Sequence, residues 1–209
     1  MMTNTLETPS TFRTPDALDA AARAALFTGA RTISEFNDTP VTDAELSDIW
    51  ELAKWAPTAA NFQPLRVLYV RPPARDRLVQ HMADGNKEKT AAAPAVAVLA
   101  LDTRFHEFIP TVMPVKPELK DYFAANDEAR GEAASFNSAL QAGYFVLAVR
   151  AAGLAAGPMG GFDHAGVDAE FFGDGRWKSI LVVNIGHTDS APRHDRLPRL
   201  EHAEVIRWA

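Results

Sequence analysis

Pro57-Thr58-Ala59-Ala60-Asn61-Phe62-Gln63-Pro64 decides how this chain is read. The stretch lies between a helical pattern and a strand pattern. Pro57 and Pro64 fix φ at its two ends. Between them sit small residues, a hydroxyl (Thr58) and two side-chain amides (Asn61, Gln63). An amide offers donor and acceptor side by side, as the edge of a flat heterocycle requires. Loops with little freedom at such junctions often hold a ligand on a rigid scaffold. An ordinary helix-to-strand turn accounts for the same residues, so the reading depends on what flanks them.

Upstream, Thr42-Asp43-Ala44-Glu45 has the spacing of a capping box. Leu46, Ile49, Trp50 and Ala53 follow at i, i+3, i+4, i+7, an amphipathic helix that delivers the chain to Pro57. Downstream, Val67-Leu68-Tyr69-Val70 is β-branched and aromatic and reads as a strand. Further back, residues 1–15 read as a flexible arm, and residues 16–209 as one domain. Within it Asp16 to Phe27 reads as a helix stopped at Gly29. Ala30-Arg31-Thr32-Ile33-Ser34-Glu35-Phe36 then puts an arginine and a hydroxyl after a helix end, where they can hold a phosphate. A solvated arginine explains the same pattern.

Beyond the strand, Pro73 can open a helix that turns Leu78, Val79 and Met82 inward. Asp84 to Lys89 reads as a polar turn. Ala95 to Leu101 is an unbroken apolar run, a strand covered on both faces. Residues 102–118 mix three prolines with Phe105, Phe108, Ile109, Val112 and Met113, and read as a long loop of the lid or partner-contacting kind. His106 lies in it, where packing is its simplest role. Asp127 to Ala152 reads as one long helix with Phe136, Leu140, Tyr144, Leu147 and Ala151 on one face, a central or interface helix. In Gly157-Pro158-Met159-Gly160-Gly161-Phe162-Asp163 the glycines let backbone approach a ligand closely. Asp163 can cap a short helix to Phe172, with Phe162 and Val167 as a hydrophobic staple. Ile180 to Ile185 is a strand. Pro192 to Arg199 is the densest positive patch, either a solvated tail or an anion site.

Composition narrows the function. With 209 residues, 47% of them hydrophobic and 23% charged, the chain can bury one good-sized core. A net charge of −6 gives no global footprint for nucleic acid. The lack of cysteine excludes disulfides, thiolate catalysis and cysteine metal sites, and fits a cytoplasmic protein. No apolar stretch reaches the ~20 uninterrupted residues of a membrane span. A Rossmann glycine fingerprint, a P-loop lysine, a nucleophile elbow and a paired-histidine metal motif are all missing. No side chain presents itself as a catalytic group, so the hard chemistry of an enzyme here would belong to a cofactor.

Five of these stretches, in order, carry a resemblance. They are Ala30–Phe36, Pro57–Pro64, Asn86 with Lys89, Gly157–Asp163, and Arg196-Leu197-Pro198. Together, over roughly residues 16–200, the chain resembles the nitroreductase family of flavin mononucleotide (FMN) oxidoreductases. Within the family, Ala30–Thr32, Lys54–Asn61, Gly157–Asp163, Val183–Gly186 and Arg196–Leu200 look most like the malonic semialdehyde reductases of Rut-type pyrimidine degradation.

The resemblance implies an α+β sandwich, with a central mainly antiparallel sheet flanked by helices. It implies a homodimer with FMN at the interface, reduced by NADH or NADPH. Arg31, Thr32, His194 and Arg196 would hold the phosphate, whose ~−1.5 to −2 charge calls for clustered cations. Asn86 and Lys89 would face the pyrimidine edge of the ring, the lysine offsetting negative charge there. Pro158, Met159, Gly160 and Gly161 would lie along the ring, with the Gly160 N–H near N5. Pro57, Thr58 and Asn61 would contact it, some of them from the second subunit. The reaction implied is ping-pong reduction of a small molecule, 3-oxopropanoate to 3-hydroxypropanoate, without metal, nucleic acid or membrane. Broad reduction of quinones or nitroaromatics, and non-catalytic flavin carriage, are the alternatives. Two positions depart from the family: Ala30 and Ser34 stand where basic residues are common.

Overall fold

The structure, a computed structural model, describes residues 16–190 and 195–209. The expectations for the arm 1–15 and for His194 lie outside them. Two compact units divide at Ala30. In the first, Asp19 accepts the Ala22 N–H at 2.7 Å and caps α1 (Ala20–Arg23). The helix expected from Asp16 thus begins later. Its last turn, Ala24–Thr28, widens to i→i+5 pairing, with the Gly29 N–H on Ala24 O at 2.7 Å.

The second unit is built on a four-stranded sheet. α2 (Asp43–Ala53) carries both halves of its capping box: Glu45 N–H donates to Thr42 Oγ1, and Thr42 N–H to Glu45 Oε2. The chain then passes through β1 (Leu65–Val70), α3 (Ala74–His81), α4 (Asp84–Ala92) and β2 (Ala95–Asp102). A 3₁₀ turn at Phe105–Phe108, α5 (Ile109–Val112) and α6 (Leu119–Ala125) lead to α7 (Asp127–Ala151). β3 (Ala155–Met159), α8 (His164–Phe171), β4 (Trp177–Gly186) and α9 (His202–Val205) complete it. The strand order is β1-β2-β4-β3, every pairing antiparallel. This is the expected α+β class. No helix among the described residues is long and apolar enough to cross a membrane.

Alternation explains the unbroken apolar run of β2. Ala95, Ala97 and Leu99 join one core with Leu46, Ile49, Phe145 and Val149 of α2 and α7. Val96, Val98 and Ala100 join a second with Leu78 of α3 and Val167 of α8. Both faces of the sheet are therefore covered by helix, which removes any need for a polar side.

Two expectations are corrected. Asp84–Lys89 is helix, the first two turns of α4; Lys87 pairs with Asp84 at 2.7 Å and the alanines that follow sustain it. Residues 102–118 are not an open loop. Phe105 and Ile109 are fully buried in a third core with Phe62, Phe123 and Ala134, and that burial imposes helical turns despite the prolines. Gly157 and Pro158 lie within a strand, β3, which among the described residues pairs only with β4; an edge position tolerates the missing proline N–H.

On α7 the apolar face expected from periodicity points outward. Phe136 is 70% exposed, and Leu140 and Tyr144 are also exposed. The inner face instead carries Asn137, Ser138 and Gln141 beside Ala142 and Phe145. Polar side chains occupy the core because each amide holds backbone of the neighbouring loop.

Candidate functional site

The Pro57–Pro64 loop has an unusual backbone. Ala60 (φ 43°), Asn61 (φ 58°) and Gln63 (φ 46°) all lie in the left-handed region without being glycine. Such conformations cost about 1–3 kcal/mol each and persist only where surroundings over-determine them. Here they do. Asn137 Oδ1 accepts the Ala59 N–H at 2.7 Å, and Gln141 Oε1 accepts the Leu65 N–H at 3.0 Å. Asn61 Nδ2 donates to Val112 O at 2.7 Å, and Gln63 Nε2 to Asn61 Oδ1 at 2.8 Å. Phe62 turns down between Phe105 and Phe123, ring centroids 5.4 and 5.0 Å away. Pro57 and Asn61 are left exposed, and Thr58 half-buried, on a rigid base.

That base is tied by a charge cluster for which sequence reading gave no signal. The Asp102 side chain is fully buried. It accepts from Arg66 Nη2 (2.7 Å), from Arg176 Nε and Nη2 (2.9 and 3.0 Å) and from the Arg104 N–H (2.9 Å). Both guanidiniums also lie over the Phe108 ring, at 5.2 and 5.4 Å. Arg66 reaches back to Gln63 O at 2.8 Å. Burial works to raise the Asp102 pKa. The hydrogen bonds from Arg176 and the Arg104 N–H, with the charges of Arg66 and Arg176, outweigh it and hold the carboxyl below its ordinary range. Nearby, burial and then the charge of Arg130 push the His106 pKa down, and its Nδ1 is enclosed without a hydrogen-bond partner. Packing is the role the sequence suggested for His106.

A second group forms around β3. Asn86 and Lys89 lie three residues apart on α4, hence on one helix face. Asn86 Nδ2 donates to Gly161 O at 2.8 Å, and the Ala83 N–H to the same oxygen at 3.0 Å. A Cβ on Gly161 would sit 2.9 Å from Asn86 Nδ2, so glycine is what lets the two segments close. The Ile33 N–H donates to Ala156 O at 3.1 Å, which lays the Arg31–Ile33 strip on β3. A Cβ on Gly157 would meet Ile33 O at 2.5 Å, a clash with backbone that could not yield cheaply. Arg31 is half-buried and Thr32 exposed. Ser34, Phe36, Gly85, Glu88 and Lys89 line a cavity of about 440 Å³ between this strip and α4.

Pro158 is half-buried, while Gly160 and Gly161 are exposed, so the backbone after β3 is open to a ligand. Met159 differs: its side chain is buried, with Sδ 3.8 Å from Thr90 Oγ1, and it can offer a ligand only main chain. Arg196 is exposed in the tail.

The register separates the two groups. Pro64 O accepts from the Asp102 N–H, which fixes the loop at the end of β2. Lys89 O accepts from Asn184 Nδ2, and Asn184 pairs with Val96 at the start of β2. Six residues of strand span about 20 Å. The structure thus brings Arg31, Thr32, Asn86, Lys89 and the Pro158–Gly161 strip into one neighbourhood. It sets Pro57, Thr58 and Asn61 toward the other end of the sheet.

Known proteins match this chain over nearly its whole length. The nitroreductase family model matches residues 28–187. A Streptomyces coelicolor protein, provisionally named NADH dehydrogenase/NAD(P)H nitroreductase, is 61% identical over 193 residues, 92% of this chain and 96% of that one. In fold, the chain is similar to a Bacillus subtilis protein of nitroreductase type (TM-score 0.79, 23% identity, 90% and 99% covered). It is similar too to an Exiguobacterium sibiricum protein of that type solved in complex with FMN (TM-score 0.77, 21% identity, 94% and 100% covered). By its sequence match and its fold, this chain belongs to the nitroreductase family.

Proposed function

We propose that the chain is a cytoplasmic FMN-dependent NAD(P)H oxidoreductase that reduces a small oxidised substrate by ping-pong hydride transfer. One observation carries this reading. Asn86 and Lys89 share a face of α4, and Asn86 is hydrogen-bonded to Gly161 O. The Asn86 amide therefore meets an open glycine backbone, with Lys89 on the same helix face. The donor set fits FMN: amide and cation suit the pyrimidine edge of the ring, bare backbone suits its plane, and Arg31 with Thr32 suits the phosphate.

FMN, when bound, supplies the hydride relay between NAD(P)H and substrate. The chain's residues orient it, hold charge against it and exclude water. Lys89 offsets negative charge at the ring edge, worth most where water is excluded. Since Ala30 and Ser34 are not basic, Arg31, Arg196 and His194 carry the phosphate charge in this reading.

The active form in this reading is a homodimer. Phe136, Leu140 and Tyr144 make an exposed apolar stripe at i, i+4, i+8 on α7. The ~20 Å between the Pro57–Pro64 loop and Lys89 lets the loop serve a site on a second copy better than its own. The substrate assigned is 3-oxopropanoate, reduced to 3-hydroxypropanoate in pyrimidine degradation, on the likeness of the stretches quoted above.

Absorbance of the purified protein tests the whole reading. A flavin spectrum that bleaches with NADH or NADPH and returns with 3-oxopropanoate is expected. Return only with a quinone or nitroaromatic moves the substrate to that class. Colour that no reductant bleaches makes the protein a flavin carrier, and a colourless protein that FMN cannot reconstitute ends the flavin reading. Lys89→Ala is expected to slow bleaching more than it weakens FMN binding. Equal bleaching rates in the variant and the parent would remove Lys89 from its role.

A further inference from the structure

Asn184 is the one amide in the buried strand stretch Val182–Ile185, and only 1% of it is exposed. Strand alternation puts its side chain on the face shared with Val182 and Val96. It is paired across the sheet with Gly157. Ile33 O crosses directly over Gly157 on that face. Lys89 O comes down on the same spot, 3.1 Å from Asn184 Nδ2. Met159 Sδ lies 3.9 Å from the same nitrogen and 3.8 Å from Thr90 Oγ1. Asn184 therefore stands under the junction of the Arg31–Ser34 strip, β3 and the C-terminal half of α4.

Its second polar atom matters as much. Asn184 Oδ1 is buried with no hydrogen-bond partner. An orphaned buried acceptor costs stability, and a valine like its neighbours Val182 and Val183 would not incur that cost. The sheet does not need an amide here. What the amide does is fix the main chain of Lys89, one of the residues that line the cavity.

We propose that Asn184 is a positioning residue: through its hydrogen bond to Lys89 O it sets the Lys89 ammonium against the β3 wall. The inference rests on the flavin reading given above. Its consequence is that the charge felt by a ring on that wall depends on a side chain buried beneath it.

A matched pair of variants tests this on the reconstituted full chain. Asn184→Val removes the donor, while Asn184→Thr has nearly the same shape and keeps a hydroxyl that can donate. The reduction potential and dissociation constant of bound FMN are the readouts, with the thermal midpoint alongside. Valine is expected to make the potential more negative and to weaken FMN binding about three- to tenfold, the range of one lost hydrogen bond. Threonine should recover part of both. In a Lys89→Ala background, Asn184→Val should leave the potential unchanged, because the two act through one group. Valine and threonine variants that both match the parent in potential, while only the thermal midpoint moves, would overturn the proposal. So would a full additional shift in the Lys89→Ala background. Failure of the parent protein to take up FMN would instead sink the flavin reading, so the two failures are distinct.

Discussion

Asp102→Ala is expected to destabilise the protein by about 3–5 kcal/mol, the usual cost of removing one partner from a buried ion cluster. The carboxylate is fully enclosed and joins Arg66 at the start of β1 to Arg176 just before β4. Without it two guanidiniums, each about one-fifth exposed, face each other, and Arg66 loses its carboxylate while Arg176 keeps Glu107 at 3.1 Å. Urea denaturation measures the loss. A change under about 1 kcal/mol would place the cluster among surface pairs, which contribute little. The pH dependence has a definite sign. The folded-state pKa of Asp102 is depressed. Its contribution is complete above the unfolded value of about 4 and disappears as pH falls through the lower folded value. The parent and Asp102→Asn should therefore converge in stability only in acid, below about pH 4.

Phe62→Ala is the second large effect, expected at about 3–5 kcal/mol, as for other buried phenylalanines. Phe62 is 7% exposed and packs on Phe105 and Phe123. It is also the side chain that pins a loop with three left-handed residues. The loss should appear in two places. Denaturation should show the global cost, and hydrogen exchange should show faster opening over residues 105–125, which share that core. A global loss with unchanged exchange there would mean that the loop and the helices beside it are not coupled. Acid should loosen the same region. The His106 pKa is lowered by burial, so its packing is fully kept above the ordinary imidazole value near 6.5 and weakens as pH falls below it.

Local chemistry made much of the fold legible. The Thr42–Glu45 capping box, the apolar run of β2 and the helix from Asp127 follow from residue spacing that tertiary structure did not override. The misreadings share a cause. Asp84–Lys89 is polar enough for a turn; beside its own Asp84–Lys87 pair and the alanines that follow, tethers to distant residues, Gly161 to Asn86 and Asn184 to Lys89, hold it as a helix. Periodicity found a real face of α7 but could not say whether it looked in or out. The inward residues Asn137 and Gln141 are polar because their partners are the N–H groups of Ala59 in the loop and Leu65 at the start of β1, about 80 residues away in sequence. Of the candidate site, the stretches around Arg31, Asn86 with Lys89, and Pro158–Gly161 that the sequence singled out are brought together by the structure. The Asp102–Arg66–Arg176 cluster was not, because its members are scattered along the chain and no local pattern joins them.

The sheet register has a genetic consequence. In the proposed dimer, each site draws Lys89 from one copy and the Pro57–Pro64 loop from the other. Two inactive proteins, one lacking the Lys89 ammonium and one with a damaged loop, would then rescue each other when produced together. Each mixed pair would regain one good site, and random pairing would restore roughly a quarter of all sites. Neither protein alone would show any, so a defect in one gene copy could be masked by a different defect in another.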